Sequence, residues 1–404
     1  MGGEAPSKRE DNRMNSTPRA IRPHIVILGR CNVGKSTLIN ALCEQSVALV
    51  SEQPGTTTDP VFKSMELLPF GPVVVVDTAG LDDQSALGQE RVKLTERALR
   101  KADIALLVVD RPDPTPLEQA LIARLEKGRL QTLIVINDRG EAPRATPEGM
   151  CVVNALTGHG VRDLKERLAS LLTAFYEEQP LVRDLLTGTA PVILVTPIDK
   201  AAPKGRLILP QVQVLRDIID GGFTALVCRE TELTHGLTQL AVKPQMVITD
   251  SQVFKTVASI IPEDIPLTSF SILMARHKGD LAEFVQGIEA IPRLKPHDDV
   301  LIVEACTHHS QEDDIGRVKI PRLLENKVGG RLTFTWCSGP NFLANLSQFK
   351  LVIHCGACMF NRKEMLARLD DVRKAGIPMV NYGMLLAYMH GILERSLKPV
   401  ASYE

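Results

Sequence analysis

Residues Gly29-Arg30-Cys31-Asn32-Val33-Gly34-Lys35-Ser36 fit the pattern G-x-x-x-x-G-K-S, directly after the apolar run His24–Leu28. Glycines at this spacing let successive backbone N–H groups wrap a phosphate, and a helix opening at Lys35 adds the positive end of its dipole. Lys35 is placed to reach the β- and γ-phosphates and the Ser36 hydroxyl to bind Mg2+. Gly29, Asn32, Val33, Gly34 and Thr37 complete the cradle. The chemistry is capture of a nucleoside triphosphate and transfer of its terminal phosphoryl group to water.

A second constellation lies further along. Cys306-Thr307-His308-His309 ends the apolar run Asp299–Glu304, and His354-Cys355-Gly356-Ala357-Cys358 ends the run Lys350–Val352. Thiolates at i and i+3 converge on a metal or cluster, and a third thiolate can come from a neighbouring strand end. A structural zinc would need four closed ligands, such as Cys3His. A redox-active C-x-x-C pair would leave Cys306 unexplained. A [4Fe–4S] cluster on Cys306, Cys355 and Cys358 uses all three thiols. It leaves a fourth position for His308, His354, a carboxylate of Glu312-Asp313-Asp314 or an outside ligand, although that acidic run reads as well as a solvated loop. The other five cysteines and the remaining histidines need no special role.

Further nucleotide elements follow the phosphate loop. Pro54-Gly55-Thr56-Thr57-Thr58-Asp59 supplies a switch threonine, with Thr57 favoured as the second protein ligand of Mg2+. Asp77-Thr78-Ala79-Gly80 fits D-x-x-G, in which Asp77 holds the metal through water and the Gly80 N–H meets the γ-phosphate. Asn154-Ala155-Leu156 resembles a base-cradling S-A-x loop. Together these resemble GTPases related to the tRNA-modification GTPase MnmE and to Era. Members of that group carry an asparagine where Asn32 stands. The resemblance implies an activating potassium ion (K+) there, in place of an arginine finger. One element departs. Where N-K-x-D is expected, the chain reads Asn137-Asp138-Arg139-Gly140-Glu141, so the carboxylate that reads guanine is missing from position 140. Glu141 substitutes only if the loop shifts by one residue. GTP and GDP remain the preferred ligands, with slow intrinsic hydrolysis, because Leu81-Asp82-Asp83 follows Gly80 and not glutamine or histidine.

The elements that position these residues can be read from the pattern. At 404 residues the chain is long enough for two or three domains, and 44% hydrophobic with 24% charged residues is the balance of a globular protein with several cores. A net charge of -1 and 4% aromatics argue against nucleic-acid or membrane partners. No apolar run approaches the length of a spanning helix, and the chain is read as cytoplasmic with its thiols reduced. Residues 1–22 read as a flexible arm. From 23 to 178, apolar runs (His24–Leu28, Val73–Asp77, Ile104–Asp110, Thr132–Asn137, Cys151–Asn154) alternate with helical stretches, the pattern of a mostly parallel sheet. Residues 184–247 form a small α/β unit too thin to stand alone, either packed on its neighbours or forming a homodimer. Residues 248–404 alternate again as a doubly wound α/β sheet, whose ligands would sit at the carboxyl ends of the strands.

A GTPase unit followed by C-x-H and H-C-x-x-C resembles the family of [FeFe]-hydrogenase maturation GTPases known as HydF. The likeness extends to Ile198–Arg206, Thr249-Asp250-Ser251-Gln252, Leu267–Ser271, Asp314–Arg322 and Asn381-Tyr382-Gly383. It implies three domains: a P-loop GTPase, a dimerisation domain and a cluster domain, with [4Fe–4S] ligands at Cys306, Cys355 and Cys358. It further implies a scaffold that receives a diiron precursor from radical-SAM maturases and delivers it to apo-[FeFe]-hydrogenase, with GTP hydrolysis regulating association. Two other readings stay open. One is a zinc-bearing tRNA-modification or ribosome-assembly GTPase; the other is a binding protein whose nucleotide site is inert.

Overall fold

The computed structural model describes residues 22–43, 61–82, 88–140, 147–177, 180–198, 207–304, 315–338, 345–358 and 360–401. The chain divides into two compact units, Met1–Glu177 and Glu178–Glu404.

The first unit holds β1 (His24–Leu28), α1 (Lys35–Cys43), β2 (Val61–Leu67), β3 (Gly71–Asp77), α2 (Gly88–Lys101), β4 (Ile104–Val109), α3 (Pro116–Lys127), β5 (Gln131–Asn137), β6 (Met150–Val153) and α4 (Val161–Glu177). Its six strands run in the order β2-β3-β1-β4-β5-β6. All neighbours are parallel except β2 against β3. The interior strands are continuous Val/Ile/Leu runs because helices bury both faces. β2 was not anticipated. It is an edge strand whose first two residues, Val61 and Phe62, are 40% and 47% exposed, so no apolar run marks it.

The second unit contains two sheets. β7 (Val192–Val195), α5 (Leu209–Asp220), β8 (Ala225–Cys228), α6 (Leu233–Thr238), β9 (Met246–Thr249), α7 (Phe254–Ile260), β10 (Leu267–Ser269) and α8 (Phe270–Lys278) come first. Their four strands are ordered β10-β9-β7-β8, all parallel. α9 (Leu281–Ile288), β11 (Asp299–Glu304), α10 (Ile320–Val328), β12 (Thr333–Ser338), β13 (Leu351–His354), α11 (Arg362–Ala375), β14 (Met379–Asn381), α12 (Tyr382–Met389) and α13 (Leu393–Leu397) follow. Here the order is β12-β11-β13-β14, again all parallel.

Two expectations change. A boundary between 247 and 248 falls inside β9, which pairs with β7 through Leu194 opposite Ile248. The second sheet therefore keeps β9 and β10. The apolar run Leu267–Ile272 reads as one strand, but the strand stops at Ser269. The Ser269 hydroxyl accepts from the Ile272 N–H at 3.2 Å, and this cap starts α8. The thin second sheet is stabilised as its size requires, since Val192, Leu194, Phe270 and Leu273 share one core with Val300, Ile302 and Ile353 of the third sheet.

Candidate functional site

The nucleotide elements gather at the carboxyl end of β1, where the strand order turns outward to β3 and β4. Gly34 has φ +94°, and a Cβ there would lie 2.2 Å from Asn137 Nδ2, so no other residue fits. A Cβ on Gly80 would meet Cys31 Sγ at 2.2 Å, which brings the D-x-x-G turn against the phosphate loop. Lys35, 8% exposed, donates to the Gly29 and Arg30 carbonyls at 3.0 and 2.8 Å. Burial lowers its pKa, and the nearby Asp77 carboxylate opposes that. Ser36 Oγ donates to Asp77 Oδ2 at 2.9 Å, so the two Mg2+-directed side chains of the described residues already share one spot. Burial raises the Asp77 pKa, with the Ser36 bond and Lys35 pulling it back.

Asn137 joins this site from β5. Its amide donates to the Val33 carbonyl at 2.9 Å and accepts from the Ala155 N–H at 3.1 Å. Asn154 Oδ1 accepts from the N–H groups of Leu156 and Thr157, which shapes the turn after β6. Asn32 stands at φ +60°, and its carbonyl accepts from Arg139. In the departed specificity motif, Asp138 is buried, its N–H donates to the Val153 carbonyl, and its Oδ1 accepts from the Gly140 N–H at 3.1 Å. Asp138 thus shapes the turn. Thr57 and Glu141 lie outside the described residues.

Two residues were missed by motif reading. Asp82 Oδ1 accepts from the Cys31 N–H at 2.6 Å, a bond that holds its carboxyl below the usual range. Arg30 forms ion pairs with Asp110 at 2.6 Å and Glu118 at 2.9 Å. Glu118 also closes a capping box with Thr115 at the start of α3.

The cysteine site lies at another switch point, where β11 is flanked by β12 and β13. Val303 of β11 pairs with His354 of β13, and the Cys355 N–H donates to the Val303 carbonyl at 2.9 Å. Cys355 and Cys358 are half-buried on the loop beyond β13. Cys306, His308 and Glu312–Asp314 lie outside the described residues. Among those that are described, no three His, Cys, Asp or Glu side chains are grouped to hold a metal ion. The two thiols nonetheless suit an iron–sulfur cluster: soft donors at i and i+3, beside the strand that leads to Cys306.

His354 is placed differently from a ligand. It is wholly buried, its Nδ1–H donates to the Cys355 carbonyl at 2.8 Å, and its Nε2 accepts from Arg368 Nη1 at 3.3 Å. Burial first, then the Arg368 charge, push its pKa down to about 3. Both ring nitrogens are committed within the protein, so His354 as placed offers no lone pair to iron. Arg368, 1% exposed, also reaches Glu364 Oε1 at 3.4 Å and lies 4.2 Å over the Phe360 ring.

Comparison with known proteins identifies the second unit. Residues 181–279 match the hydrogen maturase F dimerization domain and 282–399 the hydrogen maturase F tetramerization domain, together more than half of the chain. The chain belongs to the hydrogen maturase F family. Residues 24–138 match a 50S ribosome-binding GTPase model. GTPase Der of Novosphingobium aromaticivorans is 37% identical over 166 residues, 38% of this chain and 35% of that protein. The tRNA modification GTPase MnmE of Chloroflexus aurantiacus is 40% identical over 162 residues, 37% of this chain and 34% of that protein. The chain thus spans about a third of the length of these relatives. The solved Era of Aquifex aeolicus bound to GDP and AlF4- has 16% identity and a TM-score of 0.33, covering 54% of this chain and 98% of that one. At that score the likeness carries no argument.

This member of the maturase family therefore carries a GTPase domain together with the family's dimerization and tetramerization domains. The family's dimerization module extends over 181–279, which agrees with β9 and β10 belonging to the second sheet and includes α8. The third module's family description is tetramerization, a step beyond the homodimer expected. Among the described residues no helix is long and apolar enough to cross a membrane.

Proposed function

We propose that this hydrogenase-maturation GTPase is a cytoplasmic scaffold that holds a [4Fe–4S] cluster on Cys306, Cys355 and Cys358. It carries a diiron precursor, received from radical-SAM maturases, to apo-[FeFe]-hydrogenase. The observation that carries the reading is the bond from the Cys355 N–H to the Val303 carbonyl at 2.9 Å, which sets the C-x-x-C loop beside the strand leading to Cys306. Three thiolates leave one iron coordination position for cargo or for a weak ligand, of which His308 remains a candidate. When bound, the cluster supplies an iron site open to a bridging ligand.

At the nucleotide site the residues divide the work. Lys35 leaves the Gly29 and Arg30 carbonyls for the phosphates, Ser36 and Thr57 bind Mg2+, Asp77 orients its water, and the Gly80 N–H meets the γ-phosphate. The Asn32 side chain favours a K+ ion as the source of transition-state charge. Hydrolysis regulates partner association.

The test is anaerobic reconstitution with iron and sulfide, followed by low-temperature EPR of the reduced chain. The expected result is a [4Fe–4S]+ signal that is absent in Cys306→Ser and Cys355→Ser, both of which still bind GTP. One tightly bound zinc per chain and no signal would overturn the scaffold reading.

A further inference from the structure

Lys278 is the last residue of α8, in the second sheet's module, yet its side chain is spent on the cysteine loop of the third. It is 4% exposed, and Nζ donates to the carbonyls of Ala357 at 3.0 Å, Cys358 at 3.1 Å and Phe360 at 2.8 Å. An ammonium carries three donors and no acceptor, so three carbonyl partners satisfy it only in the charged form. Carbonyls at positions i, i+1 and i+3 turn toward one point because the backbone curls at Ala357, which has φ +49°. The clasp is reciprocal. Arg362, the first residue of α11, donates through Nη1 to the carbonyls of His277 and Gly279 at the end of α8.

We infer that Lys278 is a positioning residue for the iron–sulfur centre, holding the Cys355–Cys358 loop in its cluster-receiving shape and lending it a positive charge from the neighbouring module. The inference rests on the cluster-binding reading above. Geometrically, it makes the self-associating module 181–279 part of the cluster's support. Electrostatically, a buried cation beside the thiolates favours the more negative, reduced state of a bound cluster.

The test compares the full-length chain with Lys278→Met and Lys278→Arg. In the cluster-free protein, amide hydrogen exchange over 355–361 is expected to quicken at least ~10-fold in Lys278→Met, because the loop loses its tie. After reconstitution, iron release to a chelator is expected to quicken on the order of 10-fold, the usual effect of removing a residue that supports metal ligands. The midpoint potential is expected to fall, and Lys278→Arg to restore part of both. Where Lys278→Met does not fold, Arg362→Gln removes the return half of the clasp and takes its place. Exchange, iron release and potential all unchanged in the variant would overturn the inference. If the parent chain takes up no cluster, the cluster reading fails by itself, while the exchange comparison still decides whether Lys278 holds the loop.

Discussion

Asn137 ties Val33 to Ala155: its amide nitrogen donates to the Val33 carbonyl at 2.9 Å, and its amide oxygen accepts from the Ala155 N–H at 3.1 Å. One buried side chain at the end of β5 thus fixes the phosphate loop against the Asn154–Leu156 loop. The bare Cα of Gly34 makes room for it. Asn137 is the one N-K-x-D residue present at its expected position, and the two bonds give it a structural duty independent of base reading.

Asn137→Ala should therefore damage both stability and binding. Two hydrogen bonds are lost and two buried backbone groups stay behind, at about 1 kcal/mol or more each. A thermal melt of the nucleotide-free chain should show a lowered transition for the GTPase unit. Titration with a non-hydrolysable GTP analogue should show about tenfold weaker binding, since 1.4 kcal/mol is tenfold. Unchanged binding would mean that the two loops keep their relation without this tie.

Lys35→Ala separates the two units. In the structure its ammonium rests on the Gly29 and Arg30 carbonyls, so it is held within the loop before any phosphate arrives. Its removal should cut GTP turnover at least ~100-fold, the scale of losing one preorganised charge-stabilising group. Reconstituted iron content should stay at the parent level, because the cysteine loop belongs to the other unit. A parallel loss of iron would contradict that division.

Gly140→Asp restores a carboxylate at the position from which guanine is normally read. The turn is already held by Asp138, whose Oδ1 accepts from the Gly140 N–H. The variant should prefer GTP over inosine triphosphate, which lacks the 2-amino group, about tenfold more strongly than the parent does. That is the worth of one charge-assisted hydrogen bond, roughly 1.5 kcal/mol. Competition binding of the two nucleotides reads the ratio. No gain in selectivity would show that the base does not reach this loop.

How much of this was legible depends on how local the cause is. The phosphate loop, D-x-x-G and the strands that precede them are written in consecutive residues, and β1 and β11 begin and end where their apolar runs do. Sheet membership is not local. Met246–Thr249 reads as one more buried strand, and only its pairing with β7 assigns it to the second sheet. β2 was missed because it is an edge with exposed Val61 and Phe62. His354 read as one of several candidates for the fourth iron position beside Cys355. Its partner Arg368 stands fourteen residues away on α11, and no spacing rule connects them. Lys278 gave no signal at all, since a lysine in the last turn of a helix usually faces solvent near the helix dipole.

Arg368 is where stability of the third sheet should be most exposed to a single change. The guanidinium is buried among His354 Nε2 at 3.3 Å, Glu364 Oε1 at 3.4 Å and the Phe360 ring at 4.2 Å. Burial lowers its pKa, and the Glu364 carboxylate holds it up. Arg368→Met keeps apolar bulk but leaves Glu364 in a buried site without its cation, a loss on the order of 3 kcal/mol. Arg368→Lys should recover little, because an ammonium cannot span the imidazole and the carboxylate from one planar fork. Arg368→Met with Glu364→Gln should be more stable than Arg368→Met alone, since no buried carboxylate then faces an apolar side chain. Trp336, the single tryptophan of the chain, lies on β12 of the same sheet and reports its unfolding by fluorescence in urea. A double variant no more stable than the single one would mean that the cost lies in the lost His354 and Phe360 contacts and not in the stranded carboxylate.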